Sequence, residues 1–256
     1  MWAGCALVVV SAWALPPTAC ADPGDTVPVT QPVVLEEIAH DPDAFTQGFE
    51  IDGPVLWEGT GLAGASQMRE LDPATGEVRR TASLPNGYFG EGVTLVGDTI
   101  WQLTYRDGVA VQWDATTLSP IREVPLAGEG WGLCYDGQRL IRSDGSNRLR
   151  FHNPDDLSEV GGVDVAQDGR ALGGLNELEC VDGQVWANVW PSDKIVRIDP
   201  GTGAVTLVVD AAGLRSRGIP ASAQVLNGIA HVQGDEFLLT GKDWPKTFRV
   251  RLGVAQ

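Results

Sequence analysis

The 256-residue sequence holds only two Met, three Tyr, three His and four Cys, and its 18 Lys and Arg are outnumbered by 34 Asp and Glu, for a net charge of −16. A chain this poor in basic residues is repelled by phosphates and by anionic lipid, which argues against nucleic-acid and membrane-surface partners. No apolar run reaches the roughly 18 residues that indicate a membrane span. The histidines, His40, His152 and His231, fall in no ligand-like spacing. Neither a CxxC pair nor an HExxH run occurs, so no metal centre is expected. A Gly-x-Ser-x-Gly elbow and a phosphate loop are also missing, which leaves serine hydrolysis and nucleotide chemistry without candidates. What is plentiful is 32 Gly, 16 Pro and nine Trp against 43% hydrophobic residues. That composition excludes disorder and points to many short strands and turns rather than a helical bundle.

The first 21 residues read as an export segment. A mostly apolar stretch, Trp2 to Leu15, leads to Pro16, Pro17 and the small residues Ala19 and Ala21 of a signal-peptidase site, although no Lys or Arg precedes it. Thr18-Ala19-Cys20 also resembles a lipoprotein cleavage site, with Cys20 as the anchor. Residues 22–31 read as a linker, and residues 32–256 as one catalytic domain in an extracytoplasmic compartment, secreted, periplasmic or lipid-anchored. Two cysteines then remain, Cys134 and Cys180. Their even number in an exported chain invites a disulfide. They occupy the same register in successive repeats, however, so buried free thiols are the expectation.

The repeats are the main signal. A unit recurs five times, starting at Gln47-Gly48-Phe49, Glu91-Gly92-Val93, Trp131-Gly132-Leu133, Glu177-Leu178-Glu179 and Asn227-Gly228-Ile229. The turn glycines that follow, Gly53, Gly97, Gly137, Gly183 and Gly234, are 44, 40, 46 and 51 residues apart. Each unit continues with an apolar second strand such as Thr99-Ile100-Trp101, and third and fourth strands joined by turns such as Asp199-Pro200-Gly201-Thr202-Gly203. Four short strands in about 40–50 residues is the pattern of a β-propeller blade. The fifth unit stops after its third strand, while an orphan strand, Pro32 to Ala39, precedes the first. An all-β, five-bladed propeller follows, with four antiparallel strands per blade and the last blade closed by the N-terminal strand.

In such a ring the starts of first strands and the ends of second strands meet on one face. That face would gather Phe45, Phe89, Tyr105, Trp131 and Trp190 with Gln47, Asn176, Asn227, Glu58, Glu91, Glu177 and Lys242. Apolar walls with a few convergent polar groups describe a small-ligand site. Plainer uses exist: the tryptophans could plug the channel, Glu58 or Glu177 could bind backbone N–H groups, and Lys242 could simply neutralise acids. Glu91 stands out, since it sits between Gly90 and Gly92 where a carboxylate can be both desolvated and close to a substrate. His40, in His40-Asp41-Pro42, reads as a turn ligand.

The phrases His40-Asp41-Pro42-Asp43-Ala44-Phe45-Thr46-Gln47-Gly48-Phe49, Phe89-Gly90-Glu91-Gly92, Gly130-Trp131-Gly132-Leu133, Asn176-Glu177-Leu178-Glu179, Leu226-Asn227-Gly228-Ile229 and Thr240-Gly241-Lys242-Asp243-Trp244-Pro245 resemble the plant and bacterial glutaminyl cyclases, the five-bladed glutaminyl-peptide cyclotransferases. The resemblance runs in order from about Val33 to the C-terminus. It implies cyclisation of an N-terminal glutaminyl residue to pyroglutamyl with loss of ammonia, by an acyltransferase without cofactor or catalytic zinc. It further implies Glu91 as general acid/base, and Phe45, Gln47, Phe89, Tyr105, Trp131, Asn176, Glu177, Trp190 and Lys242 around the substrate. The partners would be peptides or proteins with N-terminal Gln, and the expected state is a monomer. Tyr105 departs from the family, which usually has Trp there. Two other readings of the same face are a non-catalytic propeller binding a peptide or sugar, and a lactonase-like metal propeller using Glu58, Glu177 and Asn227.

Overall fold

A computed structural model describes Met1 and residues 26–253. The expected export segment and the first part of the linker therefore lie outside the described residues. The rest is five four-stranded antiparallel blades whose innermost strands pack side by side in a closed ring.

Blade one comprises Thr46–Asp52, Val55–Thr60, Gln67–Leu71 and Val78–Ser83. Blade two comprises Gly90–Val96, Thr99–Thr104, Val109–Asp114 and Ser119–Pro125. Blade three has the short strands Leu133–Tyr135 and Leu140–Arg142, then Arg148–His152 and Glu159–Asp164. Blade four comprises Leu175–Val181, Gln184–Val189, Lys194–Ile198 and Val205–Asp210. Blade five begins with Leu226–Gln233, Glu236–Gly241 and Lys246–Arg251. Its outer strand is Val33–Ala39 from the other end of the chain, paired antiparallel with Lys246–Arg251. The ring closes as the repeat count requires, and the closing strand covers what would be an open edge. The stretch read as a linker is partly built into the fold, because Val29–Thr30 adds in parallel to the outer strand of blade four.

The reason for the repeating pattern is visible in the core. Five apolar clusters fill the five gaps between neighbouring blades. Trp101, Trp113 and Trp244 are completely buried in them. The second strands are almost wholly buried, while outer strands such as Ser119–Pro125 are largely exposed; blade four differs, its apolar outer strand Val205–Asp210 being mostly buried and paired with Val29–Thr30. The glycines near the start of the inner strands serve a different need. A Cβ on Gly92 would lie 2.6 Å from the backbone of Trp131 and Leu133, and one on Gly132 would lie 2.0 Å from the Asn176 carbonyl. No side chain fits there, since the inner strands crowd together at the axis; the Gly92 N–H donates directly to the Trp131 carbonyl at 2.7 Å.

The same crowding overturns the expectation of free thiols. Cys134 and Cys180 form a disulfide, with their Cα atoms 5.5 Å apart. They do share a register, but the inner strands of blades three and four run so close at the axis that equal height brings the two residues within bonding reach.

Candidate active site

The register of the inner hairpins explains how one face collects its side chains. Thr46 pairs with Thr60 and Gly48 with Gly59, so Gln47 is an extra residue. The ladder slips likewise between Gly90 and Val93, between Leu175 and Leu178, and between Leu226 and Ile229. Each slip is a bulge, the usual device for re-aiming a side chain at the end of a strand. The residues inside the four bulges include Gln47, Glu91, Asn176 and Asn227.

Above them lies a cavity of about 370 Å³ lined by Phe45, Gln47, Phe89, Glu91, Tyr105, Arg106, Glu129, Trp131, Asn176, Trp190 and Lys242. Its aromatic wall is continuous. Phe45 meets Phe89 edge-on at 6.1 Å, Phe89 meets Tyr105 at 5.7 Å, Tyr105 meets Trp131 at 6.4 Å, and Trp131 meets Trp190 edge-on at 5.9 Å. Lys242 Nζ sits 4.9 Å from the centre of the Phe45 ring.

At the floor, the Asn227 amide donates to Gln47 Oε1 at 3.2 Å, and Gln47 Nε2 donates to Glu91 Oε1 at 3.0 Å. Glu91 is 4% exposed. Burial pushes its carboxyl well above the ordinary 4.5; the Lys242 charge draws it back, while the charge of Glu129 pushes it further up. Burial also lowers the Lys242 ammonium, against the pull of Glu91 and Asp243. The Asn176 Oδ1 atom is buried without a hydrogen-bond partner among the described residues. An unsatisfied buried amide on the wall of a cavity is free to bind what enters it.

Nine of the ten site residues expected from the sequence line this cavity. Glu177 does not. It follows Asn176 by one residue and points inward along the axis, where its carboxylate accepts from the backbone N–H groups of Ile229 at 2.9 Å and Phe49 at 3.3 Å. It joins the inner strands of blades four, five and one. Glu58 is equally occupied, accepting from Thr46 at 2.7 Å and from Arg69 at 3.3 Å and contacting the His40 ring at 3.0 Å. His40, expected to bind its turn, instead bridges Glu58 and the Trp244 carbonyl. Glu58 and Glu177 are engaged by protein groups, and neither they nor Asn227 line the cavity, so the oxygen set required by the lactonase reading is not assembled there.

Two lining residues were missed by the sequence reading, Arg106 and Glu129. Arg106 lies two residues beyond the second-strand end at Thr104, and Glu129 two residues before Trp131. Both sit on connecting loops, where no repeat fixes the direction of a side chain.

Residues 5–252 match the family model described as glutamine cyclotransferase. The chain is 39% identical over 229 residues to the glutaminyl-peptide cyclotransferase of Arabidopsis thaliana, covering 87% of this chain and 71% of that one. The crystal structure of Myxococcus xanthus glutaminyl cyclase superposes with a TM-score of 0.83 at 36% identity, over 91% of this chain and all of that one. This chain belongs to the glutamine cyclotransferase family.

Proposed function

We propose that the cavity cyclises an N-terminal glutaminyl residue to pyroglutamyl with release of ammonia, and that Glu91 carries the proton. The observation that carries the assignment is the desolvated Glu91 carboxyl on the floor of an aromatic pocket, in a chain of this family. The α-amine attacks the side-chain amide carbon, and a tetrahedral centre forms. Glu91 accepts a proton from the attacking nitrogen and returns it to the departing one, a role worth typically about 10²–10⁴-fold. A carboxylate whose proton affinity is raised by burial is suited to both halves of that transfer. Lys242 and Asn176 are the donors available to the developing oxyanion. Since the ring closes within one residue, holding the folded rotamer between Phe45, Phe89, Tyr105, Trp131 and Trp190 removes much of the remaining barrier.

The substrates are peptides or proteins with N-terminal Gln. The protein acts outside the cytoplasm, after removal of residues 1–21; the Cys134–Cys180 bond supports an oxidising compartment. Among the described residues no helix is long and apolar enough to cross a membrane. The test is ammonia release from a Gln-initiated peptide by wild type and by Glu91→Gln. Turnover should fall by at least about 100-fold in the variant with KM little changed. Near-normal turnover would remove Glu91 from the mechanism.

A further inference from the structure

The Arg106–Glu129 pair at the cavity mouth has no part in the proton transfer just described, yet it is built into the wall. Glu129 is held on three sides. Buried Arg142 donates from Nη1 to the Glu129 carbonyl at 3.1 Å and to the Ala127 carbonyl at 3.0 Å, anchoring the loop from below. Arg106 donates from Nε to Glu129 Oε1 at 2.8 Å, its guanidinium lying 4.5 Å over the Tyr105 ring. The other carboxylate oxygen, Oε2, accepts the indole N–H of Trp131 at 3.0 Å.

The other contacts of the Trp131 ring are packing contacts. It lies against Gly145, where a Cβ would come within 2.7 Å of the indole, and it meets Tyr105 at 6.4 Å and Trp190 edge-on. These contacts confine the ring without a directional bond. The hydrogen bond to Glu129 is the one directional contact its side chain makes among the described residues. We propose that Glu129 is a positioning residue for the cyclisation, locking the plane of Trp131 through the indole N–H and placing a negative charge opposite Glu91, with Arg106 holding it in that pose. The inference rests on Glu91 as the proton carrier.

The groups that face Glu91 come from every blade. Blade one supplies uncharged Gln47, blade four the uncharged Asn176 and Trp190, and blade five the cation Lys242; Glu129, from the loop entering blade three, is the one acidic residue lining the cavity besides Glu91 itself among the described residues, and Arg106 follows blade two's second strand. Glu91 is thus balanced between Lys242, which favours its ionised form, and Glu129, which disfavours it. A salt bridge to Arg106 weakens the second influence without abolishing it.

Three variants decide the matter, each assayed for kcat and KM on a Gln-initiated peptide across pH. Glu129→Gln retains an acceptor for the indole and removes the charge, Glu129→Ala removes both, and Arg106→Gln leaves the Glu129 charge uncompensated. The substrate amine titrates identically in all of them, so any displacement between profiles belongs to the enzyme. In Glu129→Gln the limb governed by Glu91 should move to lower pH with KM within about twofold of wild type, whereas Glu129→Ala should add a rise in KM of about fivefold or more. Arg106→Gln should move the limb the opposite way, to higher pH. Arg106 has 66% of its side chain exposed, so this variant tests the idea even if those at Glu129 fold poorly. A limb that stays in place, or that moves in one direction for both Glu129→Gln and Arg106→Gln, overturns the electrostatic role; an unchanged KM in Glu129→Ala overturns the positioning role. Glu91→Gln run alongside separates the two levels: activity there sinks the proton-carrier reading, and inactivity leaves Glu129 to be judged on its own profiles.

Discussion

Gln47 donates its side-chain amide to Glu91 Oε1 at 3.0 Å, from the bulge in blade one to the bulge in blade two. It is the one side-chain hydrogen bond that Glu91 receives among the described residues, and Lys242 shares the cavity without an ion pair to it. The proposed proton carrier is therefore oriented by a neutral neighbour while its charge is governed from a distance.

Replacing Gln47 with Leu should leave the Glu91 oxygen buried and unpaired, a cost of about 1–3 kcal/mol, and lower kcat/KM about tenfold or more while Glu91 remains in place. Steady-state ammonia release measures it. An unchanged kcat/KM would mean that Glu91 needs no orienting partner.

Lys242→Met should have two separable effects. Loss of an oxyanion donor should lower the plateau rate by about 100-fold. Loss of its positive charge also removes what holds the Glu91 carboxyl down, so the acid limb of the rate profile should move to higher pH. In wild type that limb should itself lie above the ordinary carboxylate range, since burial raises Glu91 and activity should be lost as pH falls through the raised value. A limb moving to lower pH in Lys242→Met would contradict this electrostatic balance.

The Cys134–Cys180 bond ties the inner strands that present Trp131 and Asn176, across 46 residues of sequence. A loop of that size corresponds to roughly 4 kcal/mol of chain entropy in the unfolded state. The double Cys→Ala variant should unfold at correspondingly lower denaturant, and wild type in reductant should follow it. Equal midpoints for all three would show that the bond contributes little.

His40 and Glu58 form a buried pair, and each is completely shielded. Burial disfavours the His40 cation, but the Glu58 charge and hydrogen bond outweigh it, so His40 is raised above 6.5. Its contribution to stability is complete below about that value and is lost as pH climbs through the raised folded one. Glu58 is also opposed by burial, yet His40 and Arg69 hold it below 4.5, so its contribution persists until pH falls through that lowered value. Thermal unfolding of His40→Gln should be less stable by about 3–5 kcal/mol in the plateau between. Its stability should also lack the decline expected of wild type above pH 6.5. Parallel curves for the two proteins would rule out the linkage.

Much of this molecule was legible beforehand because its signals are local. A turn glycine, an apolar strand of a few residues and an Asp-led turn, repeated five times, can be read residue by residue. The missing fourth strand of blade five and the orphan Val33–Ala39 then fix the closure by counting. The placing of Gln47, Glu91 and Asn176 on one face was legible for the same reason, since they occupy equivalent places near the start of an inner strand, and Lys242 follows the end of a second strand that returns to that face.

The remainder depended on distances and directions that no repeat encodes. The bulges shift each ladder by one residue, and in a strand one residue is the difference between opposite faces. Asn176 consequently opens to the cavity while its neighbour Glu177 ties three inner strands together. Arg106 and Glu129 meet only because two loops from different blades end at the same rim. Cys134 and Cys180 bond because the axis is narrow, a property of the closed ring rather than of either strand. Sequence alone set the number of blades and the kinds of side chain on one face; the closed tertiary structure selected which of them point at a substrate, because only packing around a common axis fixes orientation to within an atom's width.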